Sequence, residues 1–201
     1  MLAEFPDVPG THGDDDVSRF CDLFQIHRHI FLILNIVRFL VTILFCCVHD
    51  QFTGVYRRWE KKGEANGIVV YDDYAHHPTE CKATLSGVKS GWRRRVVCVF
   101  QPHLYSRTRD FYEEFGKAFL LADVLVLTDV YPAREEPIQG ITGELIVNAA
   151  KQYGHKEAHY VQDKKNVPTY LKKITKAGDI VITMGAGDIW KFGEQFLNEM
   201  K

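Results

Sequence analysis

The stretch GIVVYDDYAHHPTE, residues 67–80, joins a short apolar run to a dense group of titratable side chains. Its first half is rich in β-branched residues, which is typical of a buried strand. Pro78 then stands where proline favours the first turn of a helix. The stretch therefore predicts a strand that ends at two aspartates and a helix that begins at the proline.

Apolar runs of the same kind recur along the chain, and helical segments separate most of them. Near-continuous apolar strands that alternate with helices are typical of a mainly parallel sheet covered on both faces. The sequence thus predicts an α/β fold with a Rossmann-like, mostly parallel sheet and helices on both faces. The predicted strands are 67–73, 94–100, 123–130, 157–161 and 179–185, and further helices are predicted after residue 107 and at 143–154, 166–176 and 188–199.

The helix predicted after residue 107 has a regular apolar face. Charged residues fall largely on its other sides, as expected for a helix that packs on a sheet. This face is interpreted as core rather than as a ligand-binding surface. Its residues are Phe111, Phe115, Ala118, Phe119 and Ala122.

Charge and cysteine content exclude several classes of protein. The chain has 201 residues with 25 basic and 26 acidic side chains, so its net charge of −1 favours no nucleic-acid partner. The cysteines show no CxxC spacing, which predicts neither a metal site nor a disulfide framework and favours a reducing cytoplasm. They are Cys21, Cys46, Cys47, Cys81 and Cys98.

Residues 1–50 differ in character from 51–201, which we interpret as the folded domain. The apolar run at 30–48 is long enough for a transmembrane helix, but Arg38 and Asn35 interrupt it with polar groups. We interpret it either as a hydrophobic, helical segment buried against something else or as a stretch inherited from an unusual gene boundary. A membrane-tethered protein remains the less favoured alternative.

Two polar clusters follow predicted strands, at the edge where open α/β sheets bind ligands. In the first, Asp73 is suited to accept hydrogen bonds from a ribose, and His76 or His77 to orient a substrate group. The alternative is that an aspartate caps the helix and the histidines are surface residues. Two aspartates, two histidines and a tyrosine in one loop favour the functional interpretation.

The second cluster lies in FQPHLYSRTRD, residues 100–110, which also opens a helix. His103, Arg107 and Arg109 meet there, where helix N–H groups already favour anions. Arginine matches carboxylate and phosphate with its planar fork. The alternative is a solvated helix start with Arg109 paired to a glutamate, so Arg107 is the stronger candidate.

Other features are less specific. Gly185 and Gly187 allow close approach of a ligand or of a neighbouring loop, and Arg134 with its two following glutamates is either substrate-facing or a solvated charge group. The chain contains no GxxxxGK[ST] phosphate loop, no GxSxG elbow and no HExxH. If the protein handles a nucleoside triphosphate, a phosphate-binding loop must come from elsewhere.

Taken together, these motifs resemble the C-terminal domain of the Mur ligase family, over about three quarters of the chain. Within the family the likeness is to the branch that joins UDP-N-acetylmuramate to L-alanine. The segments that carry it are FTGVYRRWE (52–60), DDYAHHPTE (72–80), FQPHLYSRTRDFYEEF (100–115), VYPAREEPIQGITGE (130–144) and TMGAGDI (183–189).

The resemblance implies an ATP- and Mg²⁺-dependent ligase of peptidoglycan synthesis, with this chain as the closing domain. It implies that Arg58 approaches the ATP phosphates, Asp73 holds the ribose, and Tyr74, His76 and Arg107 face the amino acid and the muramate. We expect the family's N-terminal domain and its central domain, the one that carries the magnesium ligands, to be missing from this chain. We therefore expect no metal site, no catalytic residue and no ligase activity in this chain alone. The alternative is a stand-alone Rossmann-like module that binds a nucleotide or a protein without catalysis.

Overall fold

The computed structural model of the chain describes residues 56–201. The expectations for 1–50, including the helix at 30–48 and its membrane-spanning alternative, lie outside the described residues. No helix within 56–201 is long and apolar enough to cross a membrane. The two cysteines of the described part, Cys81 and Cys98, are buried free thiols.

One six-stranded sheet forms the centre of the domain, in the order β1-β2-β6-β3-β4-β5. Strands β2 to β6 are mutually parallel, and β1 pairs antiparallel with β2. The predicted mostly parallel α/β fold is confirmed, with all five predicted strands present but shorter. The strands are β1 (Glu60–Ala65), β2 (Ile68–Asp73), β3 (Val96–Phe100), β4 (Val124–Leu127), β5 (Ala158–Tyr160) and β6 (Ile180–Met184).

Helices cover both faces of this sheet, as predicted. The first three helices pack on one face of the sheet and the last two on the other. The face changes because the chain crosses the sheet in one direction from β2 to β5 and then runs back to place β6 between β2 and β3, while the parallel connections keep one handedness. Short 3₁₀ turns at Phe119–Leu121 and Lys164–Asn166 extend the connections. The helices are α1 (Pro78–Gly91), α2 (Tyr105–Ala118), α3 (Gly143–Gln152), α4 (Val167–Ile174) and α5 (Trp190–Met200).

Alternate residues of each central strand supply the two cores. In β3, Cys98 and Phe100 pack under the first three helices, whereas Val97 and Val99 pack against the last two. Both faces of β3 are fully buried, which explains why its sequence is apolar without alternation.

Strand β1 is the element that the sequence prediction missed. Its sequence EKKGEA is charged and poor in β-branched residues, so it carries no strand signal of its own. It forms because β2 offers it an unpaired edge, with a bulge between Lys61 and Gly63. Charged edge strands of this kind also protect a sheet from pairing with other chains.

The prediction that Phe111 belongs to the core is wrong. Its backbone is non-helical (φ −127°, ψ 15°), so α2 is kinked there and the side chain is 36% exposed. One turn earlier the Thr108 hydroxyl donates to the Leu104 carbonyl at 2.9 Å, a bond that often bends helices. The other four residues of the predicted face, Phe115, Ala118, Phe119 and Ala122, are buried.

Candidate functional site

The carboxyl edge of the sheet, where the parallel strands end, forms a crevice around β6. The loops that leave β2 and β3 lead to helices on one face, whereas the loop that leaves β6 leads to α5 on the other. Loops that diverge in this way leave an opening between them, and open α/β sheets bind ligands at such points. Both predicted clusters, after β2 and after β3, border this opening.

Asp72, the last buried residue of β2, points into the domain. Its carboxylate accepts from Arg57 Nε at 3.1 Å and from Thr183 Oγ1 at 2.7 Å. Burial raises the pKa of this carboxyl, while the bonds from Thr183 and Arg57 act in the opposite direction and offset part of that effect. Asp72 is therefore a structural anchor below the site.

Asp73 points the other way, into an open hollow of about 280 Å³ that we call the Asp73 hollow. Its carboxylate accepts from the amides of Ala75 at 2.8 Å and Trp59 at 3.1 Å. Burial raises the pKa of Asp73, and these two bonds offset part of that effect. The hollow is lined by Arg58, Asp73, Tyr74, Ala75, Glu80, Ala83 and Thr84. Three of the predicted ligand residues thus share one cavity wall.

The N-terminus of α1 is capped by His77 and not by an aspartate. The ring of His77 accepts from the Thr79 amide, and Glu80 accepts from the amides of His76 and His77 at 3.0 and 3.1 Å. This reciprocal arrangement is a capping box. The alternative interpretation of the loop, with an aspartate as the cap, is therefore wrong, and Asp73 remains at the hollow.

A row of rings runs from the Asp73 hollow to the neighbouring loops. Tyr74 and His76 lie 5.1 Å apart between ring centroids, His76 and His103 lie 6.0 Å apart, and His103 stacks on Tyr131 at 5.8 Å. The row joins the loops after β2, β3 and β4. It brings predicted residues of both clusters together.

The β3–α2 loop and the first turn of α2 each carry a buried side-chain nitrogen without a hydrogen-bond partner in the described part of the chain. Arg107 Nη1 and His103 Nδ1 are buried and have no hydrogen-bond partner within residues 56–201. Burial lowers the pKa of His103, and the charges of Arg107 and His76 lower it further. Buried polar atoms are nearly always paired, so both nitrogens indicate a ligand, and the guanidinium of Arg107 favours an anionic one.

Arg109, the weaker candidate, lies elsewhere. It is exposed and donates to its neighbour Asp110 at 2.7 Å, rather than to a glutamate as the alternative interpretation had it. An exposed pair of this kind contributes little to stability.

Glu135 has a structural role that the sequence did not indicate. Helix α2 has no capping side chain of its own, and Glu135 accepts from both the amide and the hydroxyl of Ser106 in its first turn. The loop after β4 thereby holds the helix that carries Arg107. Arg134 and Glu136, beside it, are exposed.

The glycines after β6 make room for a neighbouring loop. A Cβ on Gly185 would lie 2.7 Å from the Gln101 carbonyl, and one on Gly187 would lie 2.3 Å from Gln101 Oε1 and 3.0 Å from the Tyr131 ring. Of the two predicted uses of these glycines, close packing between loops is the one observed. No cluster of three or more His, Cys, Asp or Glu within residues 56–201 is arranged to hold a metal ion.

Comparison with known proteins shows the origin of this arrangement. The family described as "Mur ligase, glutamate ligase domain" matches residues 57–187, which include every predicted site residue. The chain belongs to the Mur ligase family. Among solved structures, this Mur ligase domain resembles a UDP-N-acetylmuramate–alanine ligase from Thermotoga maritima, with a TM-score of 0.61 and 30% identity over 74% of this chain and 31% of that one.

Curated relatives of the Mur ligase domain are closer in sequence. A UDP-N-acetylmuramate–L-alanine ligase of Geotalea daltonii is 53% identical over 75% of this chain and 33% of its own length. The Salinibacter ruber protein of the same name is 56% identical over 73% of this chain and 31% of its own length. The chain thus matches the C-terminal domain of these ligases and spans about a third of their length.

Proposed function

We propose that this protein is the closing domain of an ATP-dependent UDP-N-acetylmuramate–L-alanine ligase of peptidoglycan synthesis. The observation that carries the proposal is that Arg58, Asp73 and Tyr74 line one hollow at the crevice around β6. The identity of more than half to ligases of this name supports the choice of substrates. The reaction belongs to the assembled ligase, and this domain supplies contacts rather than a reacting group.

In the proposed reaction, a carboxylate oxygen of UDP-N-acetylmuramate attacks the terminal phosphorus of ATP and releases ADP. The amine of L-alanine then attacks the resulting acyl phosphate, loses a proton and releases inorganic phosphate as the amide forms. Both steps concentrate negative charge on phosphate oxygens. Cationic side chains held near those oxygens stabilise that charge.

Within this scheme Arg58 and Asp73 hold the nucleotide. Arg58 is exposed at the rim of the Asp73 hollow, where its guanidinium can reach phosphate oxygens. The Asp73 carboxylate already accepts two backbone amides and has lone pairs left to accept ribose hydroxyls. The phosphate loop is assigned to the ligase's other domains, because this sequence contains none.

Tyr74, His76 and Arg107 form the proposed site for the amino acid and the muramate end. Tyr74 is 41% exposed and continues the ring row from the hollow to His76 and His103. Beyond it, the unpaired Arg107 Nη1 offers a donor for a carboxylate. Nucleotide and amino acid would then bind side by side along one edge of the sheet.

Mg²⁺ is proposed to accompany ATP, where it would neutralise phosphate charge. The residues at the crevice do not form a ligand cluster for it, so its ligands are assigned to the other ligase domains. We place the ligase in the cytoplasm, and the free thiols of Cys81 and Cys98 are compatible with that compartment.

Complementation in trans tests the proposal. The 201-residue protein would be mixed with a Geotalea daltonii ligase from which the matching segment has been removed. We expect phosphate release that requires both UDP-N-acetylmuramate and L-alanine. Arg58→Ala and Asp73→Ala should each lower kcat/KM for ATP by about tenfold or more. Arg109→Ala, an exposed arginine away from the crevice, is the matched control and should change nothing.

Two results would contradict the proposal in different ways. Alanine-dependent ATP hydrolysis by the 201-residue protein alone would show that it needs no other domain. ATP binding that depends on Asp73 without any restored amide formation would favour the stand-alone nucleotide-binding module instead.

A further inference from the structure

Arg57, the neighbour of Arg58, is a buried arginine that touches three separate segments of the carboxyl edge. Its Nε donates to Asp72 at 3.1 Å, and its Nη2 and Nη1 donate to the carbonyls of Gly185 at 2.6 Å and Ala186 at 3.4 Å. Its Cζ also lies 4.9 Å from the ring centroid of Tyr74. One side chain therefore links the loop before β1, the loop after β2 and the loop after β6.

The backbone around Arg58 is held in an unfavourable conformation. Arg57 and Trp59 both have left-handed φ values, 53° and 52°, which side-chain-bearing L-residues rarely adopt. Such conformations persist where surrounding bonds impose them, and they are common at functional sites. Here the imposing bonds are Tyr74 N to Arg57 O at 2.7 Å, Trp59 N to Asp73 at 3.1 Å and Arg57 N to Glu60 at 2.8 Å.

These contacts have one geometric result. The two left-handed residues flank Arg58 and turn it outward to the Asp73 hollow, while Arg57 turns inward beneath the same hollow. The bond from Trp59 to Asp73 fixes the carboxylate proposed to hold the ribose. The contact with Tyr74 fixes the ring proposed to face the amino acid and the muramate end.

We propose that Arg57 is a positioning residue that pre-organises the Asp73 hollow before any ligand binds. The positioning role is argued from the contacts of Arg57 themselves. Only the identity of the ligand, a nucleotide, rests on the proposed function. Lysine would not replace Arg57, because its three donors share one nitrogen, whereas Arg57 reaches a carboxylate and two carbonyls from three separate nitrogens of a planar fork. Pre-organisation matters because residues that must be ordered at the moment of binding reduce affinity.

The first test needs no ligand and measures amide hydrogen exchange by NMR in the full chain. In Arg57→Ala, the amides of Trp59, Tyr74 and Gly185 should exchange about tenfold faster or more, relative to the amides of β3 and β4. All three are hydrogen-bonded within the linked segments. A merely structural role would raise exchange across the whole sheet.

Arg95→Ala is the matched control. Arg95 also donates to a carboxylate and a carbonyl, Asp179 at 3.3 Å and Ile174 at 3.2 Å, but at the opposite end of the sheet. It should leave the relative exchange of Trp59, Tyr74 and Gly185 unchanged. If the two variants give the same exchange pattern, the proposal is wrong.

If Arg57→Ala fails to fold, the same exchange measurement can be made on Arg57→Lys. Lysine keeps the positive charge but lacks the planar, forked guanidinium. Relative to the amides of β3 and β4, the same three amides should therefore again exchange faster than in the unmodified protein. Unchanged exchange in the lysine variant would overturn the proposal, since the fork would then be unnecessary.

The second test measures ATP binding in the mixture used for complementation. Arg57→Lys should weaken ATP binding about tenfold, with Arg95→Ala unaffected. Faster exchange with unchanged ATP affinity would overturn the positioning role. If the unmodified protein binds no ATP, the proposed function is rejected, and the exchange measurement alone decides the role of Arg57.

Discussion

At the amino edge of the sheet, where the parallel strands begin, Arg95 binds Asp179 and a helix-terminal carbonyl. At the carboxyl edge, Arg57 makes a similar set of bonds to Asp72 and the turn after β6. The two pairs differ in solvent access: the Arg95 side chain is 25% exposed and the Arg57 side chain 11%. Arg95 also has a second carboxylate, Glu157, within 3.5 Å.

The two edges differ further in what they leave unpaired. At the amino edge the carboxylates of Asp123, Glu157 and Asp179 all face cations. At the carboxyl edge the buried Arg107 Nη1 and His103 Nδ1 have no partner within the described residues. The amino edge thus pairs its carboxylates within the fold, although His155 Nε2 there has no hydrogen-bond partner among the described residues, whereas the carboxyl edge retains the Arg107 donor for a ligand.

The largest expected effect is on the free energy of unfolding, and it should differ between the two buried carboxylates, Asp72 and Asp179. Asp72→Ala should lower the free energy of unfolding by about 3–5 kcal/mol, because it leaves the Arg57 charge buried without its partner. Asp179→Ala should cost about 1–2 kcal/mol, since Arg95 is partly hydrated and keeps Glu157. Urea unfolding of both variants measures the difference. Equal losses would mean that the two edges do not differ in this way.

Gly185→Ala and Gly178→Ala form the next pair. Gly185 at the carboxyl edge has φ +140°, and a methyl group there would press on the Gln101 carbonyl, so about 2–3 kcal/mol should be lost. Gly178 at the amino edge has φ +95° with open space around it, so only backbone strain of about 1 kcal/mol is expected. Thermal unfolding tests this order, and a costlier Gly178→Ala would contradict it.

The pH dependence of stability should have opposite signs at the two edges. The pKa of Asp73 is raised by burial, so its favourable contribution is present below its unfolded pKa and is lost as pH rises through the folded pKa. Burial alone would also raise the pKa of Asp123, but the bonds from Lys89 and Val96 outweigh it and the pKa is lowered. Its contribution is therefore present at higher pH and is lost as pH falls through the folded pKa.

Neutral variants measure these signs directly. Above about pH 4, the stability of Asp73→Asn relative to the unmodified protein should rise with pH, whereas that of Asp123→Asn should fall with rising pH only below about pH 5, where an aspartate of ordinary or lowered pKa titrates. Urea unfolding across both pH ranges provides the measurement. Parallel slopes for the two variants would show that burial does not dominate at Asp73.

The smallest effect is expected for Arg109→Ala. Its ion pair with Asp110 is exposed and local, so stability should change by less than about 0.5 kcal/mol. A loss comparable to that of Asp72→Ala would show that surface pairs at this helix matter as much as the buried ones.

Several features were predictable because local sequence carries them. The strands β2, β3, β4 and β6 are apolar because both of their faces are buried, and a parallel sheet is the fold that buries them. The polar clusters were recognisable because they follow those strands directly. Their placement at a common edge then follows from the parallel order of the sheet.

Other features depended on contacts between distant segments. β1 has no strand signal and exists because β2 offers a pairing edge. Phe111 was misplaced because a kink breaks the regular rotation on which helical periodicity depends. The sequence analysis did not single out Arg57, and it left Glu135 in a group that was either substrate-facing or solvated. Only their partners in other loops show that Arg57 is a buried link and Glu135 a helix cap.

By itself, the sequence determined the α/β class, the strand-and-helix order from β2 onward and the residue types available at the carboxyl edge, since each depends on local composition and spacing. Only the tertiary structure decided which of those residues share the Asp73 hollow, which arginine is buried and which donors stay unpaired. Those outcomes depend on the insertion of β6 between β2 and β3, which brings together segments more than a hundred residues apart.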